Sequence, residues 1–323
     1  MPKPDVLVTR RIPSAVLDRL AEHGAIDLYD GDAVIGRDEL KRRLAGCRAL
    51  MCLLTDRIDA EILDAAPSLR IVANIAVGYD NVDVPAAKAR GIVVTNTPDV
   101  LTEATADFTW GLILAITRRI PEGERLVRRG EWRGWALDFM LGSDLRGKQL
   151  GIIGLGRIGQ AVAARAGAFG MRVAFADPHR DRTAPDDQPY TSLPLDELLA
   201  TSDVISLHVP LTPETRHLIN RRRLLGLRRR AFLVNTSRGP VIDEEALAWA
   251  LREGIIAGAA LDVYEREPEI HPDLVGLENV VLAPHLGSAT VETRTAMADL
   301  AARNVIAVLR GDPPLTPVPG SRA

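Results

Sequence analysis

The run Leu150-Gly151-Ile152-Ile153-Gly154-Leu155-Gly156-Arg157-Ile158-Gly159-Gln160 constrains this chain more than any other stretch. Residues 150–153 read as a short buried strand, and residues 158–169 (IGQAVAARAGAF) as a helix with one apolar face. Residues 172–176 (RVAFA) read as a second strand, closed by Asp177. Strand, glycine turn, helix, strand and acid in this order point to a dinucleotide-binding βαβ unit. Gly154 permits the tight turn, Gly156 leaves room for a pyrophosphate against the backbone, and Gly159 lets helix and strand pack closely. The helix N-terminus offers unpaired N–H groups to phosphate. Asp177 stands about 18 residues beyond the last glycine, near the spacing at which a carboxylate meets ribose hydroxyls.

A chain of 323 residues is long for one core and comfortable for two. With 46% hydrophobic and 26% charged residues it has the composition of an ordinary globular protein. The net charge of −3 argues against a nucleic-acid partner. The clusters Arg221-Arg222-Arg223 and Arg228-Arg229-Arg230 read as solvated helix and turn surface. Cys47 and Cys52, the two cysteines, fall in or beside an apolar run, as buried thiols do in a reducing compartment. Met1-Pro2-Lys3-Pro4-Asp5 leads straight into Val6-Leu7-Val8 with no signal-peptide core, and no apolar stretch is long enough to span a bilayer. A cytoplasmic protein without membrane contact is expected.

The first third alternates strand-like runs (6–9, 49–54, 71–76, 92–95) with helix-like ones (13–22, 38–44, 60–65, 84–90), which predicts a parallel sheet covered by helices. Residues 102–120 read as one helix, apolar almost all round and therefore buried. Residues 121–148, with Trp132, Trp135 and Met140, read as an excursion between domains and a candidate subunit contact. A second alternating series starts at Leu150, with strands at 204–209, 231–234, 256–261 and 280–282 and a helix at 244–252. A last helix covers 293–309, and the proline-rich tail 315–323 is expected to be extended or frayed.

Ligands of an open α/β sheet lie beyond the carboxyl ends of its strands. There the second series carries Asn235-Thr236-Ser237-Arg238-Gly239, then Asp262 with Glu265-Arg266-Glu267-Pro268, then Pro284-His285-Leu286-Gly287-Ser288. A cation, carboxylates and a histidine on the cofactor side are what reduction of a 2-oxo acid requires: a cation for the carboxylate and carbonyl, a proton donor for the forming alkoxide, and an acid to orient that donor. Taken singly, a histidine or arginine after a strand is more often structural, and His23, His179, His217 and His271 read that way. Spacing alone leaves open whether Arg238, Glu267 and His285 converge.

These stretches resemble the D-isomer-specific 2-hydroxyacid dehydrogenase family, and within it the glyoxylate/hydroxypyruvate reductases. The resemblance covers nearly the whole chain. It also rests on Val77-Gly78-Tyr79-Asp80-Asn81-Val82-Asp83, Thr95-Asn96-Thr97-Pro98, Leu101-Thr102-Glu103-Ala104-Thr105-Ala106-Asp107, His208-Val209-Pro210-Leu211-Thr212, Leu261-Asp262-Val263 and Pro284-His285-Leu286-Gly287-Ser288-Ala289-Thr290. It implies a two-domain α/β protein, in which a Rossmann-type doubly wound parallel sheet (residues 100–289) is inserted into a smaller flavodoxin-like substrate-binding domain (residues 1–99 and 290–323). The cleft between the domains would close on the substrate, a small 2-oxo acid such as glyoxylate or hydroxypyruvate. By the same resemblance Arg238 would bind and polarise the substrate, His285 would exchange the proton, and Glu267 would hold His285. Backbone N–H groups of Val77 and Gly78 would take the carboxylate, and Trp135 is a candidate for lining a neighbouring subunit's pocket in a homodimer. Cofactor contacts would come from Thr105, from Gly154, Leu155, Gly156, Arg157, Ile158 and Gly159, from Asp177, His179 and Arg180, from His208, Val209, Pro210 and Thr215, and from Thr236, Ser237, Arg238, Asp262, His285, Gly287 and Ser288. No metal is implied. Asp177 favours NAD(H), while His179, Arg180 and Arg182 keep NADP(H) open. Rival readings are another activity of the family (phosphoglycerate, formate, phosphite or bulkier 2-oxo acids) and a non-enzymatic NAD(H)-sensing protein. Phosphoglycerate dehydrogenases often carry an added C-terminal regulatory domain that is not expected here, and phosphite enzymes place a lysine where Val77 stands.

Overall fold

A computed structural model describes residues 4–179 and 190–321. The chain divides into two compact units, residues 1–101 with 290–323, and residues 102–289.

In the first unit, β1 (Val6–Val8), β2 (Ile26–Leu28), β3 (Ala49–Cys52), β4 (Ile71–Asn74) and β5 (Val93–Thr95) form a parallel sheet in the order β2-β1-β3-β4-β5. That is the flavodoxin-like order. β1, β3 and β4 are buried throughout and apolar except for Asn74 at the end of β4, as strands covered by helices on both faces must be. β2 escapes the sequence reading because Ile26-Asp27-Leu28 is a half-buried three-residue edge. The helix Val291–Arg310 packs across β3 and β4; Thr290 caps its start by accepting from the Thr293 N–H at 3.0 Å, and Gly311 at φ 90° ends it. From Leu315 to Ser321 the tail is docked rather than frayed. The Val318 N–H donates to Val94 O at 3.0 Å, Thr316 Oγ1 to Asn96 O at 2.6 Å, and Val318 is 2% exposed. One buried valine and the open edge of β5 outweigh the prolines.

In the second unit, β6 (Gln149–Ile153), β7 (Arg172–Ala176), β8 (Thr191–Ser192), β9 (Val204–Leu207), β10 (Phe232–Asn235), β11 (Gly258–Leu261) and β12 (Val280–Leu282) make a seven-stranded parallel sheet. The order β12-β11-β10-β9-β6-β7-β8 is the doubly wound Rossmann arrangement with one strand added. Chain direction across the sheet reverses between β6 and β9, which makes a crevice at their carboxyl ends.

The helix read at 102–120 ends at Thr117, and the excursion after it opens with a helix that the sequence reading missed. Thr102–Thr117 packs on this sheet and on the helix Arg157–Ala166, burying Ala106, Trp110, Ile113 and Ile116 while Asp107 and Gly111 face out. Arg119, left-handed at φ 56°, breaks the chain, and Pro121 opens a second helix, Ile120–Arg128. Cys47 and Cys52 are buried free thiols. Among the described residues no helix is long and apolar enough to cross a membrane.

Candidate active site

The glycine turn closes β6 as the three glycines require. Gly154 adopts φ 90°, and a Cβ there would lie 2.7 Å from His208 O and 2.9 Å from Val209 Cγ1. A Cβ on Gly159 would collide with the Gly154 carbonyl oxygen, whereas one on Gly156 would meet nothing within 4 Å. The turn is therefore packed from below and open above. No side chain caps the helix Arg157–Ala166 and no acid stands in its first turn, which suits this helix N-terminus to an anion. This cradle fits a dinucleotide pyrophosphate. Leu155 is buried, Arg157 exposed and Ile158 between the two.

Asp177, at the end of β7, accepts from the Leu155 N–H at 2.9 Å and the His179 N–H at 2.9 Å, which ties the acid to the turn. His179 is exposed, and Arg180 and Arg182 lie outside the described residues. After β9, His208 Nε2 is 2.8 Å from Ser206 Oγ. Burial pushes its pKa down to about 3, so the ring is neutral. Thr215 Oγ1 donates to Pro210 O at 2.7 Å and accepts from the Thr212 N–H at 2.8 Å, shaping the loop that also carries Val209.

β10, β11 and β12 are adjacent and parallel, with Asn235 opposite Leu261 and Leu261 opposite Leu282. Arg238, Glu267 and His285 thus follow the carboxyl ends of three neighbouring strands. His285 Nδ1 lies 2.8 Å from Glu267 Oε2. The second Glu267 oxygen accepts from the Tyr264 N–H at 3.1 Å, so the carboxylate is held at both ends. His285 itself is left-handed, φ 54°, with its N–H on Asp262 O at 3.0 Å. The buried Asp262 carboxylate accepts from the N–H groups of Leu286 at 2.6 Å and Gly287 at 2.8 Å, clamping the histidine loop; burial raises its pKa. Tyr264 Oη donates to Ala283 O at 2.8 Å, joining the Glu267 loop to the His285 loop.

The buried Asn235 shapes the arginine loop: its Oδ1 accepts from Ser237 N and Oγ at 3.0 and 2.8 Å, and its Nδ2 donates to Arg238 O at 2.9 Å. Arg238 donates to Ser237 O at 2.8 Å. A Cβ on Gly239 would run into the Tyr264 carbonyl, so this loop lies flat on the one leading to Glu267. Thr236 Oγ1 is 2.9 Å from Thr109 Oγ1, and Thr105 is buried with Cγ2 3.4 Å from a Cβ placed on Gly287. Ser288 is half-buried beside it in sequence.

In the first unit, the carbonyls of Val77 and Gly78 accept from Asn96 Nδ2 at 2.7 Å and Asn74 Nδ2 at 2.9 Å. Trp135 is 82% exposed on an irregular segment of the second unit and joins none of these loops. Sequence reasoning passed over Asn74 and Tyr264, and gave Asn235 no role within its stretch. The one available signal was an asparagine closing an otherwise apolar strand, as in Ile71-Val72-Ala73-Asn74 and Phe232-Leu233-Val234-Asn235. Among the described residues no group of acids, histidines or cysteines is placed to hold a metal ion.

Residues 110–287 match the family described as D-isomer specific 2-hydroxyacid dehydrogenase, NAD binding domain. The chain belongs to the D-isomer-specific 2-hydroxyacid dehydrogenase family. It is 53% identical over 315 residues to the glyoxylate reductase of Korarchaeum cryptofilum, covering 97% of this chain and 95% of that protein. It is 50% identical over 318 residues to that of Thermococcus onnurineus, at 97% and 95% coverage. Among solved structures, the NADPH-dependent glyoxylate/hydroxypyruvate reductase of Sinorhizobium meliloti, in complex with NADP and malonate, superposes with a TM-score of 0.87 at 40% identity, covering 100% of this chain and 99% of that one. A Thermus thermophilus protein superposes with a TM-score of 0.91 at 49% identity, covering 97% and 99%. This family member is an NAD(P)-dependent oxidoreductase, and the doubly wound unit binds the cofactor.

Proposed function

We propose that this protein reduces glyoxylate and hydroxypyruvate to the D-2-hydroxy acids, with His285 as the proton donor. The observation that carries the assignment is the His285 Nδ1–Glu267 Oε2 pair at 2.8 Å, mounted on the ends of adjacent strands. Glu267 engages Nδ1 and leaves Nε2 to give its proton to the carbonyl oxygen, or to take one from the hydroxyl in the reverse direction. When bound, NAD(P)H supplies the hydride. Arg238 binds and polarises the 2-oxo acid. In the first unit, the Val77 and Gly78 N–H groups are suited to take a carboxylate. Asp262 keeps the backbone of the histidine loop in place. Relatives at about half identity named glyoxylate reductase support the substrate class.

NADH is the favoured cofactor, because Asp177 at the end of β7 would accept ribose hydroxyls and repel a 2′-phosphate. The protein works as a homodimer: Trp132, Trp135, Leu137 and Leu141 are 57%, 82%, 82% and 65% exposed, an apolar surface suited to a second copy. Two buried free thiols suit a cytoplasmic setting.

Initial rates with NADH and NADPH against glyoxylate, hydroxypyruvate, pyruvate and bulkier 2-oxo acids test the assignment. Preference for the two smallest polar acids is expected. Turnover confined to bulkier acids, or none at all, would remove it.

A further inference from the structure

We propose that Asn74, locked by Asn81, is a positioning residue for the substrate carboxylate, and that the Tyr79 N–H is a third donor beside those of Val77 and Gly78. This inference rests on the reading that the Val77 and Gly78 N–H groups hold the carboxylate.

The first argument is peptide geometry. Three successive carbonyls after β4 are anchored: Ala76 O accepts from the Thr97 N–H at 2.9 Å, Val77 O from Asn96 Nδ2 at 2.7 Å, and Gly78 O from Asn74 Nδ2 at 2.9 Å. The peptides between Ala76 and Tyr79 are trans, so each anchored carbonyl turns the next residue's N–H the opposite way. Anchoring Ala76, Val77 and Gly78 therefore aims the N–H groups of Val77, Gly78 and Tyr79 away from their anchors. Among the described residues these three N–H groups have no acceptor, and all three residues are half-exposed. Successive N–H groups facing one side form a backbone site for an anion.

The second argument is what holds Asn74. The residue is fully buried, and only the amide end of its side chain can bond a carbonyl. Its Nδ2 also reaches Asn81 Oδ1 at 3.1 Å, and its Oδ1 accepts from Asn81 Nδ2 at 3.2 Å, so the two side chains pair reciprocally. Asn81 Nδ2 in turn reaches Leu53 O at 3.1 Å and Asp56 O at 3.0 Å. The buried Asp56 carboxylate accepts from the Leu53 N–H at 2.8 Å and Thr9 Oγ1 at 2.5 Å. The chain from Thr9 to Gly78 leaves the Asn74 amide one orientation. A substrate carboxylate then meets donors that are already aimed, and their reorganisation is not part of the cost of binding.

The test uses the full chain with saturating NADH and oxalate as a carboxylate probe that is not reduced. Asn74→Ser should raise the KM for glyoxylate and the Ki for oxalate together, by about tenfold, the size of one charge-assisted hydrogen bond. Its kcat and NADH affinity should stay close to those of the parent. A folded variant with KM and Ki unchanged overturns the role of Asn74. In the unaltered protein, selectively 15N-labelled for valine, glycine and tyrosine, oxalate should shift the Val77, Gly78 and Tyr79 amide protons downfield. Movement of Val77 and Gly78 with Tyr79 unmoved overturns the third donor and with it the role of Asn74, whose anchor aims the Tyr79 N–H, even if the variant does not fold. If none of the three moves, the carboxylate reading itself fails.

Discussion

At the scale of single residues the chemistry narrows to His285 and its support. Replacing His285 by alanine should lower kcat about 100- to 10,000-fold, the usual worth of a positioned general acid. NADH should still bind, as followed by cofactor fluorescence; turnover at the parent rate would take the proton donor's role from His285. Asp177→Ala should weaken NADH more than NADPH in paired titrations, and an unchanged ratio would remove Asp177 from cofactor choice. That same change strips acceptors from the Leu155 and His179 N–H groups, so the affinity ratio is more telling than either affinity. A strand-end histidine and a Glu-Pro pair were legible as candidates. What the residues could not announce was their pairing, because 18 positions separate them in the chain.

At the scale of elements, loops are shaped by buried polar groups and glycines. Gly159→Ala should cost about 1–3 kcal/mol in chemical denaturation, since its Cβ meets the Gly154 carbonyl and helix or turn must shift. Gly156→Ala, with open space around the Cβ, should fold normally and lose cofactor affinity instead. His208 gives a pH prediction. Its folded-state pKa, about 3, lies below the ordinary 6.5, so the unfolded chain takes up a proton that the folded chain refuses. Stability is lost as pH falls from 6.5 towards 3, with a slope of up to about 1.4 kcal/mol per pH unit. His208→Gln should flatten the stability curve in that window relative to the parent; parallel curves would show that burial does not hold the ring neutral. Helix boundaries were mostly legible from apolar period and glycine stops, such as Gly311. The helix end near Arg118 and Arg119 was legible from the charge that follows Ile116; the second helix opening at Ile120 was not, because Pro121 read as the start of an excursion and only the left-handed backbone at Arg119 marks the junction.

At the scale of the whole molecule, the exposed apolar side chains of 129–142 should govern assembly. Leu137→Asp should turn a dimer into a monomer by light scattering on a sizing column; the parent eluting as a monomer would refute the proposed assembly. The tail should govern the stability of the first unit. Ending the chain before Leu315 would remove the buried Val318 and the Thr316 partner of Asn304, and thermal unfolding should begin several degrees lower.

By itself the sequence determined the cofactor cradle and the alternation of strands and helices, since both follow from local rules. Glycine spacing dictates where a backbone can bend and be approached, and apolar period dictates which segments must be covered. It also supplied the side chains of a reductase. Only the tertiary structure decided that β10, β11 and β12 are neighbours, that Glu267 reaches His285, and that Thr97, Asn96 and Asn74 anchor three successive carbonyls after β4. Strand order and hydrogen bonds between distant residues depend on how whole layers pack. Glu267 and His285 stand 18 positions apart, and even the short step from Asn74 to Gly78 depends on a turn whose carbonyls are anchored from other segments.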